Sequence, residues 1–346
     1  MNTAHRSPAS LKDVASAAGV SVSTASRALN GKATEFRISE ETAQAVQKAA
    51  DQLEFRPSQV ARSLRSKKTG LLGVVLPDVA NPFFAAIARE ITVVAGQNDL
   101  SVLLTDSRDN SQTEARLVRQ LRSRQVEALL VCPVGLVSQH LQEVDTAGLP
   151  TVLIDRGFVD SRIATVTTDH RDAADALTSL LVQQGHQHIG VLQGAAGTMP
   201  NEERIAGIRR ALQNAGHSLS DSCVRGIQFS EQSGHEATHW ILKHHPDTTA
   251  FVGLSNQNSL GALRALRELG LRIPEDISLV TFDDHPFAEF LSTPLTTAHQ
   301  NTTDLGQRAA QLIVDRLQSG RRSRKKMHRV PVQIIERASI SAPRTV

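Results

Sequence analysis

Two cysteines stand in the 346 residues, Cys132 and Cys223, far apart and in apolar stretches. That scarcity excludes a disulfide framework and a cysteine-rich metal knot, and it reads as two buried thiols in a reducing compartment. No apolar run approaches the roughly 20 residues that a membrane helix needs, so no membrane partner is expected. The polar stretch Met1–Ser10 runs into Leu11-Lys12-Asp13 without an apolar core, so no secretory leader is expected either. Also missing are G-x-x-x-x-G-K-[ST], which cradles nucleotide phosphates, and G-x-S-x-G, which presents a nucleophilic serine. What is present is a hydrophobic content of 40% at a mean hydropathy of -0.21, enough for real cores in a soluble chain. The length suits two or three domains.

The charge is unevenly placed. Residues 1–70 hold 11 Lys/Arg against 6 Asp/Glu, a net of +5, while residues 71–346 hold 27 against 29, a net of −2. Positive charge gathered on a short N-terminal piece is the footprint of a module that meets phosphates.

That piece reads as three short helices. Leu11 to Ala18 follows a capping Ser10 and stops at Gly19, whose freedom at positive φ suits a tight turn. Val22 to Asn30 follows Ser21 and stops at Gly31. Val14, Ala18, Val20, Ala25 and Ala28 recur at the spacing that packs these two helices together, and small Ala15 suits their close crossing. A third helix follows Ser39 and Glu40-Glu41, with Ala43, Val46, Ala50 and Leu53 as its apolar stripe. The pattern is a helix-turn-helix, whose second helix enters the major groove of DNA. Its outward residues Val22, Ser23, Thr24, Ser26 and Arg27, with Ser21 and Asn30 at its ends, form the candidate DNA-contacting set. Hydroxyls reach phosphates or base edges, and arginine makes the bidentate guanine contact. A helical hairpin touching only protein would not need the caps, the glycine turn and the core positions to agree at once.

Residues 56–70 begin Arg56-Pro57-Ser58 and end in basic linker residues. Eight or nine helical residues are too few to persist alone in water. Val60, Ala61 and Leu64 share a face, so two copies could pair over DNA, folding as they bind. Leu64 between Arg62 and Arg65 suits an apolar wedge in a minor-groove step, with Ala61 beside it, where a plain tether would need neither.

The run Leu11-Lys12-Asp13-Val14-Ala15 to Ala18-Gly19-Val20-Ser21, continuing through Thr24, Ser26-Arg27 and Leu29-Asn30-Gly31, resembles the signature of the lactose/galactose-repressor (LacI/GalR) family. The hinge from Pro57 to Leu64 is similar at the family's spacing, and the resemblance covers the chain from about residue 10 onward. It implies operator reading by Val22, Ser23 and Arg27 and intercalation by Leu64. Ala25 stands where many members carry valine, a packing change. The implied fold is an all-α helix-turn-helix head (1–55), a hinge helix and linker (56–70), and an α/β two-lobed periplasmic-binding-protein-like core (71–346). The implied partners are pseudo-palindromic double-stranded operator DNA, a sugar or nucleoside effector, and a second copy of the chain. No leucine heptad follows residue 330, so a homodimer rather than a tethered tetramer is expected. No cofactor is expected, and the place is the bacterial cytoplasm, at the nucleoid.

Beyond Leu71, apolar runs alternate with amphipathic stretches. Strands are expected at 71–76, 101–105, 128–131, 151–154, 164–167, 188–192, 250–254 and 278–282. Helices are expected at 84–96, 112–124, 172–184, 202–215 and 260–270. The alternation argues parallel α/β sheets, two by length. Ligands in such folds sit at the C-terminal ends of strands. There stand Asp78, Asn81, Asp106, Asp155-Arg156, Asp169, Ser255-Asn256 and Asp283-Asp284, some of them helix caps. With Phe83, Phe84 and Phe229 as apolar faces, they suit a neutral, hydroxyl-rich ligand. The family resemblance implies effector contacts at Asn81, Phe83, Asp155, Arg204, Phe229, Ser255, Asn256, Asp283 and Gln300. Two departures are Ser255-Asn256, where most members have Asn-Asp, and Val126-Glu127-Ala128 in place of Val-Asp-Gly.

One enzyme motif stands out. His235-Glu236-Ala237-Thr238-His239 fits H-E-x-x-H, whose two histidines can share a zinc. No third ligand follows at a familiar spacing, and Trp240-Ile241-Leu242 places the helix against a sheet, so no stoichiometric zinc and no hydrolase are expected. The basic run Arg321 to Lys326 reads as a solvated loop. A sugar-binding transport protein would account for the core but not for the basic head.

Overall fold

The computed structural model describes residues 9–55, 68–320 and 326–344. The hinge, with Ala61 and Leu64, lies outside them, as do residues 321–325 of the basic run. The chain divides into two compact units, Met1–Thr69 and Gly70–Val346.

In the first unit, α1 (Leu11–Ala17), α2 (Val22–Leu29) and α3 (Glu40–Gln52) each start at a serine whose hydroxyl accepts a backbone N–H: Ser10, Ser21 and Ser39. Ser10 and Asp13 cap each other reciprocally. Gly19 (φ 66°) and Gly31 (φ 70°) turn the chain after α1 and α2 through the left-handed region, as their positions demanded. Val14, Ala15, Ala25, Val46, Ala49 and Ala50 form the core, with Val20, Ala28 and Phe55 packed around it. One expectation fails here. Leu53 is 38% exposed, because the chain turns at Glu54 (φ 48°) and lays Phe55 on the core instead.

The second unit has two lobes. The first carries β1 (Leu71–Leu76), α4 (Pro82–Gln97), β2 (Ser101–Asp106), α5 (Ser111–Ser123), β3 (Ala128–Val131), α6 (Gln139–Thr146), β4 (Thr151–Ile154) and β5 (Ala164–Thr168). The second carries α7 (His170–Gln183), β6 (Ile189–Leu192), α8 (Met199–Asn214), β7 (Val224–Arg225), α9 (Glu231–His244), β8 (Ala250–Gly253), α10 (Asn256–Glu268), β9 (Ser278–Phe282) and β10 (Thr296–Gln300). Then α11 (Thr302–Ser319) returns to pack on α4, β11 (Met327–Val330) joins the first sheet and β12 (Val332–Ile335) the second.

The sheets are six-stranded, in the orders β11-β5-β4-β3-β1-β2 and β12-β10-β9-β8-β6-β7. All pairs are parallel except β10–β12. Helices cover both faces, so β3, β4, β6 and β8 are buried along their whole length and read as apolar runs broken only by Thr151 of β4. The two orders are the same, so β4 and β9 occupy equivalent places. The chain passes between lobes three times, each time through one residue: Asp169 after β5, Asn301 after β10 and Pro331 after β11. Asp169 (φ −80°, ψ 75°) and Asn301 (φ −75°, ψ 84°) make the turn with nearly the same backbone.

The departures from Val-Asp-Gly are structural: Val126 is buried, and Glu127 accepts a hydrogen bond from the Gly70 N–H at 2.7 Å. Of the two cysteines only Cys132 is fully buried. Cys223 sits half-covered in a one-turn 3-10 helix, because its neighbours Ser220 to Ser222 are solvent-facing.

Candidate functional site

On the head, α2 turns Ala25 inward and leaves Ser21, Val22, Ser23, Arg27 and Asn30 exposed, with Thr24 and Ser26 at the margin. The Ser21 hydroxyl lies 2.8 Å from both Ser23 Oγ and Thr24 Oγ1, so the cap also orders the hydroxyls on the leading turn. Arg27 rests its guanidinium 4.0 Å above the Phe36 ring, which holds the side chain extended along the surface. Asn30 donates to the Ser26 carbonyl at 2.6 Å and closes the helix.

In the core unit, a cavity opens between the lobes at the C-terminal ends of the strands. The first lobe contributes Asn81, Phe83, Phe84, Asp155 and Arg156. The second contributes Pro200, Arg204, Phe229, Ser255, Asp283 and Gln300. Asp155 follows β4 and Asp283 follows β9, the equivalent strands, and both residues adopt left-handed backbones (φ 62° and 65°). Such a conformation is costly for a non-glycine residue and marks a position held by its surroundings. Asn81 and Ser255 cap α4 and α10 while facing the same cavity, so capping and lining are not alternatives here.

Four charges converge, two of each sign. Asp155 directs Oδ2 toward Arg156 Nε (3.9 Å) and the Cys132 thiol (3.8 Å). Arg156 donates to Asp109 at 2.9 Å and lies 5.1 Å over the Phe229 ring. Burial pushes the Asp155 carboxyl up to about 6, with Arg156 and Arg204 acting against it and Asp283 adding to it. Gln300 donates to Asp283 Oδ1. Two buried acceptors, Asp155 Oδ1 and Gln300 Oε1, have no hydrogen-bond partner in the protein.

Arg204 is fixed from behind. It donates to the Leu254 carbonyl and, at 3.3 and 3.2 Å, to His170 Nδ1, and it stacks 4.1 Å from Phe282. A guanidinium only donates, so Nδ1 is bare and the proton sits on Nε2. Nε2 donates to Thr167 Oγ1 (3.2 Å), which donates to the Asp155 carbonyl (2.6 Å). Burial first, then Arg204, holds the His170 pKa well below its ordinary value, so the ring is neutral. This relay ties the two lobes' charged residues together.

Every effector residue expected from the sequence lines this cavity except Asn256. Asn256 is buried beside it and exchanges amide hydrogen bonds with Asn81 across the lobes, at 3.1 and 3.4 Å. Asp284 is occupied elsewhere, forming a forked pair with Arg337 at 2.7 and 2.9 Å. His170 and Pro200 escaped the sequence reading. Pro200 has the helix-start signal of a proline in the first turn, whereas nothing around His170 marks it. A separate group lies on α9 and α10, where His235, His239 and Glu268 bring ligand atoms within 4.8 Å of one another. Among the described residues no helix is long and apolar enough to cross a membrane.

Comparison with known proteins agrees with these two surfaces. Residues 10–58 match the bacterial regulatory proteins of the lacI family, and residues 178–340 match a periplasmic binding protein-like domain. The HTH-type transcriptional repressor PurR of Serratia proteamaculans (strain 568) is 32% identical over 96% of this chain and 97% of its own length. The lac repressor dimer bound to operator and the anti-inducer ONPF superposes with a TM-score of 0.86 at 28% identity, over 97% of this chain and 100% of that one. The transcriptional regulator CelR in complex with cellobiose superposes at a TM-score of 0.73 and 28% identity, over 96% and 99%. The chain therefore belongs to the lacI family of bacterial regulatory proteins and is a DNA-binding transcriptional regulator rather than an enzyme.

Proposed function

We propose that α2 reads a pseudo-palindromic operator from the major groove, and that a neutral, hydroxyl-bearing effector in the cavity between the lobes sets the affinity for that operator. Ser21, Val22, Ser23, Thr24, Ser26, Arg27 and Asn30 supply the DNA contacts, with Ala61 and Leu64 of the hinge joining them. Asn81, Phe83, Asp155, Arg204, Phe229, Ser255, Asp283 and Gln300 hold the effector, and Asn256 supports Asn81. The observation that carries the reading is the pair of buried acceptors without partners, Asp155 Oδ1 and Gln300 Oε1, in a cavity that Phe83 and Phe229 also line. Acceptors of that kind ask for hydroxyl donors, and the balance of two carboxylates with two guanidiniums asks for no net charge. A pyranose, pentose or nucleoside meets both requirements. CelR with its cellobiose is a related regulator with a ligand of this class.

A homodimer in the bacterial cytoplasm completes the proposal. An apolar groove of Leu260, Leu263, Leu271, Ile273 and Leu291 beside Phe290, which is 89% exposed, supports pairing through the second lobe. The test is a thermal-shift screen of the full chain against neutral sugars, sugar phosphates and nucleosides. A ligand at 100 times its dissociation constant adds about 2.7 kcal/mol. A neutral polyol should stabilise the core, and the same compound should alter operator retention in a gel. Stabilisation by phosphorylated sugars alone would overturn the neutral-effector reading.

A further inference from the structure

The motif His235-Glu236-Ala237-Thr238-His239 lacked a third ligand in the sequence, and the fold supplies one. His235 and His239 stand one turn apart on α9, with rings 4.6 Å apart at 64°. Both direct Nε2 at the same oxygen of Glu268, the last residue of α10, at 2.6 and 3.2 Å. The other oxygen of that carboxylate accepts from Arg264 Nε at 3.0 Å, which fixes the orientation in which Oε2 is presented. Two imidazoles and a carboxylate are the ligand types that hold zinc, and ligand bonds of about 2.1 Å put tetrahedral ligand atoms roughly 3.4 Å apart. The ligand atoms here all lie within 4.8 Å of one another.

The backbone beneath the cluster is rigid. A Cβ on Gly234 would lie 2.1 Å from the Asn258 carbonyl oxygen, and one on Gly261 would lie 2.1 Å from the Glu231 oxygen and 2.4 Å from His235 N. Only glycine allows α9 and α10 to approach so closely, and that approach carries His235 onto Glu268. We propose that His235, His239 and Glu268 bind one divalent transition-metal ion of the zinc type, clamping α9 to α10. The two helices follow directly on the cavity residues Phe229 and Ser255, so the clamp stiffens the elements that present them. Glu236, which would be the base of a metalloprotease, is exposed and accepts from Gln232 at 2.5 Å. The clamp needs nothing from Glu236, and three protein ligands leave one position of the ion to water.

The experiment uses tag-free full-length protein stripped with a chelator and titrated with Co2+, followed by displacement with Zn2+. One equivalent per chain should produce saturable visible absorption that Zn2+ removes, and Zn2+ should raise the Tm. In His239→Ala and in Glu268→Gln, Co2+ affinity should fall by at least about tenfold, the level at which even an outer contact to a metal matters. Circular dichroism of the metal-free variants checks that they fold. Absence of a one-equivalent endpoint, or an endpoint unchanged in both variants, would leave a hydrogen-bonded histidine cluster only and overturn the proposal.

Discussion

Asp155 and Asp283 end equivalent strands of the two lobes on left-handed backbones, so each lobe offers one carboxylate to the cavity. Their surroundings make the cost visible. Burial raises the Asp155 carboxyl from an ordinary 3.8 to about 6. Stability from such a group is fully present below pH 3.8 and is lost as pH rises through 6, which is about 3 kcal/mol by pH 7. Asp155→Asn should therefore stabilise the ligand-free core at pH 7, and its melting temperature should lose the dependence that the parent shows between about pH 4 and 6. Differential scanning calorimetry at several pH values measures both, and an unchanged pH dependence would count against the raised carboxyl. The same variant should bind effector more weakly, since an amide offers one acceptor where the carboxylate offers two. Arg204→Ala should weaken effector binding by about 1–3 kcal/mol while sparing operator affinity, so that more effector is needed for the same response. Gel retardation with and without effector separates the two. That these residues share one cavity was legible through the family resemblance. His170, which holds Arg204, was not, because its role depends on a proton shared with Thr167 that no local pattern encodes.

At the level of elements, hydroxyl caps were the clearest sequence signals, and Ser10, Ser21 and Ser39 all start helices. Ser21→Ala removes a cap and the anchor of Ser23 and Thr24, at about 1 kcal/mol. In a head with so small a core, operator affinity should fall about five- to tenfold, with no change in the melting of the Gly70–Val346 unit. Fluorescence anisotropy and calorimetry give the two readings. The elements that went unread have physical reasons. β7 is two residues long, and β10 is Thr-Thr-Ala-His-Gln, buried by neighbours rather than by apolar character. In α11 an internal glycine, Gly306, weakens the helix pattern, yet a Cβ there would stand 2.8 Å from the Ile87 carbonyl oxygen of α4. Leu53 erred in the other direction: periodicity placed it in the core, and a left-handed turn one residue later took it out.

For the whole molecule, the charge division between residues 1–70 (net +5) and the remainder (net −2) matches the division into compact units. Two basic heads on one operator should give a log K that falls steeply and linearly with log salt. A chain beginning at Gly70 should fold, bind effector and show no retardation of operator DNA. Retardation by that truncated chain would remove the assignment of DNA binding to the head. Alternation along the chain argued two sheets without saying which segments join which. The return of α11 and β11 to the first lobe could not be read, because β11 and β12 are separated by Pro331 alone and look like one interrupted strand.

Those three single-residue passages have a mechanical consequence. Asp169 and Asn301 lead from a strand of one lobe into a helix of the other and Pro331 leads from strand to strand, all at the same border of both sheets, since β5 and β11 are neighbours there, as are β10 and β12. Three short tethers side by side forbid sliding and leave one easy freedom, a swing about the line they share. Gln300 and His170 flank two of the pivots, so a residue that lines the cavity and one that braces Arg204 sit beside the axis. A few tenths of an ångström at the axis become a far larger arc at the opposite border of each lobe. On the proposed function, an occupant of the cavity would act at the short end of a lever, and its presence would be expressed as an angle.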